Sequence, residues 1–319
     1  MHTHAWAPTR IEIAGGGTDL PIWTRERPGL CLNLAIDAYC HAVLITRHDG
    51  QVVASYTQLE RAARATDIGN GLIRESALLH EWEIGFEVHT MSEISSLGSG
   101  LGVSSSLAVC LAAAFSRFRR MREGHLEEAP AAPEAAARDA WRVEIERLRR
   151  PIGRQDHMAA SWGGLRLYRF SGDTAKIERS FTYDQAVWVA QHLLVFRLPS
   201  GHDTSTILRG LTSPESFRAS YAAVDVATRA IDAHDPCELG RAFQMVHETK
   251  CAIPGSVPPE VADVIQRVTD VARRANLTYH VHGCTVAGAG GGGHLVAVCD
   301  PDAMEEFAEC VRLPSFRVK

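Results

Sequence analysis

Residues 95–115, SSLGSGLGVSSSLAVCLAAAF, constrain the chain more than any other stretch: three glycines alternate with small residues, three serines follow, and an almost wholly apolar run closes the segment. Residues 107–115 have no polar face at helical period, which predicts a helix buried on all sides and starting near the serines. A helix start inside a protein leaves backbone N–H groups without intrahelical partners and adds the positive end of the macrodipole. An anion satisfies both. Glycines at 98, 100 and 102 let backbone approach phosphate oxygens, and Ser104, Ser105 and Ser106 offer hydroxyls for capping or for a metal ion. The plain alternative is a loop with an ordinary serine cap.

At 319 residues the chain is long for one core and comfortable for two domains. A net charge of -5, with no dense basic run except RLRR at 147–150, argues against a nucleic-acid partner. No apolar segment approaches the roughly 20 residues that span a bilayer, and MHTHAWAP lacks the features of a secretion signal, so the expected location is cytoplasmic, away from membranes. Eight scattered cysteines without a CxxC pair read as free thiols.

TRIEIAG and CHAVLITRH alternate as strands, GLIRESALLHEW reads as a helix, and FEVHTMSEI is a strand leading into the opening loop. An Ala/Pro/Glu-rich connection re-enters a helix near Ala135 that runs to about Arg150 and stops at Pro151 and Gly153. GGLRLYRF and HLLVFRLP are strands around a domain boundary at 171–187; helices follow near 214–234, 237–250 and in PPEVADVIQRVTDVARRAN, then a strand, a glycine turn and a strand.

GAGGGG at 288–293 fits the dinucleotide fingerprint G-x-G-x-x-G literally, but HLVAVCD after it has strand character where that fingerprint needs a helix, so a nicotinamide site is rejected. No glycine cluster is followed by the lysine of a G-x-x-x-x-G-K-[ST] loop. Two further turns carry acids: GGGTDL with Asp19, and RRPIGRQDHMAASWGG with Asp156. Singly, each acid could cap a turn or a helix; together, the glycine turns stand at strand ends and helix starts, where ligands bind.

In order and spacing, APTRIEIAGGGTDL, GSGLGVSSS, IGRQDH and VAGAGGGGH resemble the motifs of the GHMP kinases, and AGGGTDLP with GRQDHMAASWGGL is most similar to the branch of the D-glycero-D-manno-heptose 7-phosphate kinases. The resemblance implies a two-domain α+β fold, domains at 1–180 and 181–319, an active site in the inter-domain cleft, and an ATP- and Mg2+-dependent phosphotransferase. Its substrate would be a sugar or sugar phosphate, with the anomeric hydroxyl of a heptose as acceptor. The nucleotide loop would be Gly98, Ser99, Gly100, Leu101, Gly102, Val103, Ser104 and Ser105. Magnesium would be held by Ser104, with Ser105 the next position, and by Glu146 ahead of Arg147, with Glu144 the alternative on the same helix. Asp156 would be the catalytic aspartate, Arg10 the basic residue beside it, and Gly16, Gly17, Thr18 and Asp19 the substrate turn. No oligomeric state is implied.

A hydroxyl and one carboxylate suit magnesium, and a nearby arginine favours an ionised aspartate that can accept the acceptor's proton. The opposing structural reading makes Glu146 an exposed i, i+4 partner of Arg142 or Arg150. Val103, Thr285, Ala287, His157 and the segment PSGHDTST at 199–206 depart from the branch pattern; Thr285 and Ala287 stand where lysine and a serine or threonine are common, and loss of that lysine bears on the substrate more than on the reaction. The rival readings are a GHMP kinase for a non-sugar alcohol and a non-catalytic nucleotide- and sugar-binding regulator.

Overall fold

The computed structural model describes residues 1–95, 98–125, 132–201, 213–275, 277–278 and 280–318. The connection at 126–131 and most of PSGHDTST, 202–206, lie outside the described residues. Two compact units emerge, each built from separated pieces of chain: Met1–Thr9, Ala38–Ser95 and Gly102–Gly163 in the first, Arg10–Asp37, Ser96–Leu101 and Gly164–Lys319 in the second. This division is interleaved, whereas a boundary at 180 divides by chain order. The strands His2–Ala14 and Gly29–Thr46 each contribute residues to both units.

In the first unit, residues 40–46 pair antiparallel with Phe86–Ser92, which pairs parallel with Val52–Ser55; Leu59–Ala62 lies antiparallel on the far side. The predicted central helix is Val103–Arg122, and it buries Val103, Ala108, Val109, Cys110, Leu111, Ala112, Ala114, Phe115 and Phe118. Its apolar surround has a plain origin: the strands supply Ala42, Leu44, Val52, Ala54, Phe86 and Val88 to the same core, with Phe115 edge-on to Phe86 at 5.3 Å. The helix Gly71–Leu79 starts where Asn70 accepts the Ile73 N–H, an ordinary side-chain cap.

In the second unit, residues 29–34 pair antiparallel with Leu165–Ser171, which pairs with Thr174–Ser180. A separate four-stranded antiparallel sheet runs in the order Ser315–Arg317, Leu193–Gly201, Gly292–Cys299, Val281–Val286. Its core joins Phe196, Leu295 and Phe307 with Val261, Val264, Ile265 and Val268 of the helix Pro259–Arg274. GAGGGG does lead into a strand, Gly292–Cys299, in keeping with the rejected nicotinamide fingerprint.

Candidate active site

Gly98, Gly100 and Gly102 all have positive φ, at 59°, 73° and 76°, a conformation that L side chains rarely adopt. Their alternation therefore dictates the path of the loop, and Gly102 is the residue from which the central helix starts. No side chain caps that start, so the serine run serves other ends. Ser104 donates to Glu144 Oε1 and Ser105 to Glu144 Oε2, each at 2.8 Å. Ser106 donates to the carbonyls of Pro8, at 2.8 Å, and Gly102, at 3.1 Å.

Glu144 is completely buried. It sits in a π-helical turn, Arg142–Arg147, that continues the helix Pro133–Trp141, and the Leu148 N–H reaches back five residues to the Val143 carbonyl. Besides the two serines, Glu144 receives the Arg150 guanidinium on Oε1 and His157 Nε2 on Oε2, the latter at 2.8 Å. Burial alone would push its pKa up; the His157 hydrogen bond and charge, the Arg150 charge and the Ser105 hydroxyl reverse this and bring it down to about 2. Arg150 Nη1 also donates to Ser104 Oγ at 2.5 Å, so one cation is shared by that hydroxyl and the carboxylate.

The acid that the sequence pointed to first, Glu146, is elsewhere. Its side chain is 57% exposed and lies 3.7 Å from Arg142, an i, i+4 surface pair. The carboxylate brought to Ser104 is thus Glu144, the alternative on the same helix, and not the Glu146 that the resemblance took from the pair Glu-Arg; Glu144 lies within the π turn and Glu146 faces outward from it.

Asp156 is the second residue of the helix Gln155–Trp162 and is half-buried between two buried neighbours, Gln155 and His157. Since His157 is tied to Glu144, the backbone beside Asp156 is fixed to the same cluster. His157 stands where the family branch commonly has glutamine, and its Nδ1 has no hydrogen-bond partner among the described residues.

In the second unit, Arg10 is buried, donates from Nη1 to the Gly100 carbonyl at 2.6 Å, and from its backbone N–H to the Leu101 carbonyl at 3.0 Å. Arg10 therefore grips the glycine loop; it belongs to the second unit and Asp156 to the first. His294 Nδ1 lies 2.8 Å from the Ser99 carbonyl, and a Cβ on Gly293 would stand 1.9 Å from the Gly98 carbonyl, so the terminal glycine turn packs directly on the loop.

Asp19 is buried in the turn that follows Ala14. Gly17, at φ 86°, leaves room for the Phe217 ring, and a Cβ on Gly16 would meet the Glu12 carboxylate at 2.2 Å. Thr18 does not offer its hydroxyl to a ligand: Oγ1 bonds the Gly15 and Leu30 carbonyls and the Leu30 N–H, which corrects its assignment to substrate contact and makes it a brace of the turn.

Sequence reasoning missed Lys250. Its ammonium is buried, donates to the Val286 carbonyl at 2.7 Å and lies 3.6 Å from Glu12. Burial, helped by the Arg10 charge, lowers its pKa against the opposing pull of Glu12. Val286 separates Thr285 from Ala287, the two positions where the branch pattern has other residues, so a lysine from the helix Pro236–Ala252 brings positive charge to that strand end. No motif announces such a residue; the cue in the sequence is a lysine at helical spacing from Leu239, Phe243 and Val246, the buried face of that helix.

Among known families, residues 62–164 match the description GHMP kinases N terminal domain. Over 201 residues the chain is 29% identical to the D-glycero-alpha-D-manno-heptose 7-phosphate kinase of Campylobacter jejuni, covering 58% of this chain; the match spans 55%, about half, of that relative's length. Among solved structures, the whole chain superposes on a D-glycero-D-manno-heptose 1-phosphate kinase from Bacteroides thetaiotaomicron with a TM-score of 0.76 at 18% identity, covering 97% of it. It likewise superposes on the Lactococcus lactis galactokinase complexed with galactose, with a TM-score of 0.75 at 14% identity, covering 93% of that chain. The fold is the two-domain α+β fold of these kinases.

Proposed function

We propose that this chain, which carries a GHMP kinase N-terminal domain, transfers a phosphoryl group from ATP to a hydroxyl of a sugar or sugar phosphate, with the anomeric hydroxyl of a heptose as acceptor. The observation that carries this reading is the buried Glu144 carboxylate joined to Ser104 and Ser105 in the first turn of an uncapped, buried helix. The names of its relatives, heptose phosphate kinases and a galactokinase, support the sugar class. No helix among the described residues is long and apolar enough to cross a membrane, and we place the enzyme in the cytoplasm.

The donor set fits magnesium. Ser104 Oγ and Glu144 Oε1 are hard oxygens 2.8 Å apart that already share a cation, Arg150. Bound there, magnesium would neutralise charge on the phosphate oxygens. The chain's own residues do the rest. Backbone N–H groups at the start of the central helix hold phosphate, Arg10 sets the loop through the Gly100 carbonyl, Asp19 holds substrate hydroxyls, and Asp156 orients the acceptor and takes its proton.

ATP consumption, measured with a panel of hexoses, heptoses and their 7-phosphates, tests this. Wild type should turn over on a heptose or heptose phosphate, and Asp156→Ala should lose about 10²- to 10⁴-fold in kcat. ATP binding without turnover on any sugar would point to a regulator instead, and full activity of the variant would remove Asp156 from the chemistry.

A further inference from the structure

A second cluster of reactive groups lies in the second unit and plays no part in the kinase reading. Cys237, an exposed thiol, is the second residue of the helix Pro236–Ala252. Its Sγ is 3.4 Å from His282 Nδ1; His282 Nε2 is 2.9 Å from Asp300 Oδ1, and the other oxygen of Asp300 is 2.9 Å from His280 Nδ1. The frame is rigid. A Cβ on Gly240 would stand 2.4 Å from His282, and one on Gly283 would stand 2.2 Å from the Gly240 carbonyl, so helix and strand touch backbone to backbone.

The carboxylate decides the tautomer. Asp300 accepts the proton of Nε2, which leaves Nδ1 with its lone pair toward the thiol, the arrangement of nucleophile, base and orienting acid. Acyl transfer is poorly served here, because Asp235 Oδ1 already takes the N–H groups of Cys237 and Glu238, at 2.9 and 3.1 Å, the donors that would stabilise an oxyanion. Exchange with a disulfide needs no such donors.

We propose that Cys237 is a thiol–disulfide exchange site, with His282 as its base, Asp300 as the residue that orients the base, and a small cationic disulfide as its reaction partner. The Cys237 sulfur attacks one sulfur of the disulfide while His282 Nδ1 takes the thiol proton. The S–S bond breaks, and the departing sulfur leaves as a thiol with that proton. One disulfide is consumed and one mixed disulfide forms. Burial first, then Asp235, Asp300 and Glu238, hold the thiol above its ordinary pKa, so it rests protonated and depends on the base; Arg241 pairs with Glu238, which leaves Asp235 and Asp300 as the carboxylates that favour a cationic partner over an anionic one.

The chain contains its own control. Cys251 Sγ also lies 3.4 Å from a histidine, His247 Nε2, and is exposed, but the other nitrogen of His247 has no hydrogen-bond partner among the described residues. The intact protein is treated with cystamine or with the dianion dithiobis(nitrobenzoate), and adducts are timed at each cysteine by peptide mass spectrometry. Cys237 should react with cystamine about 10²-fold faster than Cys251, and that ratio, which cancels the dianion's intrinsically better leaving group, should be smaller with the dianion. His282→Gln and Asp300→Asn should slow Cys237 to the Cys251 rate while Cys251 and Cys310 keep theirs, which also reports that the variants are folded. Equal rates at Cys237 and Cys251 in the wild-type protein, a comparison that needs no variant, would overturn the proposal, as would a Cys237 rate that survives both substitutions.

Discussion

Glu144 and Lys250 are both charges taken out of water, one in each compact unit, and their surroundings differ in kind. Glu144 is met by two hydroxyls, a guanidinium and an imidazole, and its ionised form is favoured so strongly that burial is outweighed. Lys250 has a carbonyl at 2.7 Å and a carboxylate 3.6 Å away, and burial prevails, lowering its pKa. The first charge is one the fold is built around; the second is one the fold accommodates. Donors that converge on a single carboxylate from two serines and a shared arginine mark a place designed for positive charge, whereas a lone ammonium on a strand end marks a brace.

Breaking the Glu144 cluster should have the larger consequence. Glu144→Gln should reduce magnesium-dependent turnover by about 10²- to 10³-fold, and leaving Arg150 and His157 without their anion should cost about 3 to 5 kcal/mol in urea unfolding. The same variant should also change the response to acid. A carboxyl lowered from 4.5 to about 2 contributes stability that is complete above about 4.5 and is lost as pH falls toward 2; this acid limb should be present in wild type and missing in the variant. Lys250→Met should cost less, about 1 to 3 kcal/mol from the partner groups left unpaired, and adding Glu12→Gln should recover part of that loss in a double-mutant cycle. A cost for Lys250→Met as large as that for Glu144→Gln would erase the distinction between the two charges. Smallest of all, Glu146→Ala should stay within about 0.5 kcal/mol of wild type and keep its magnesium dependence; loss of that dependence would return the metal role to the acid first named from the sequence.

The parts of this protein that follow local rules were legible in its letters. Alternation in TRIEIAG and FEVHTMSEI became strands, and the unbroken apolar run after the serines became the buried central helix, because period and burial are written directly in residue type. The same holds for the glycines at 98, 100 and 102, whose positive φ is the property for which glycine is required. Where the chain was misread, the deciding fact was not local. Glu146 was preferred over Glu144 because the resemblance takes its acid from the pair Glu-Arg, a match of letters, whereas which acid meets Ser104 depends on how the π turn at Arg142–Arg147 carries the chain. Thr18 looked like a ligand group beside Asp19 until the Leu30 backbone, twelve residues on, was seen to occupy its hydroxyl. Lys250 and Val286 are 36 residues apart and share no motif.

The turn at Arg142–Arg147 also determines what kind of change could alter this site. In a regular helix each residue advances the chain by about 100°, so removing one residue before Glu144 would swing that carboxylate away from Ser104 without altering a single side chain of the cluster. The choice of acid is stored as a length. Scanning by substitution would pass over it, while a one-residue deletion series through 138–143 would find it at once, and only the loss of two codons would bring Glu146 to the place of Glu144.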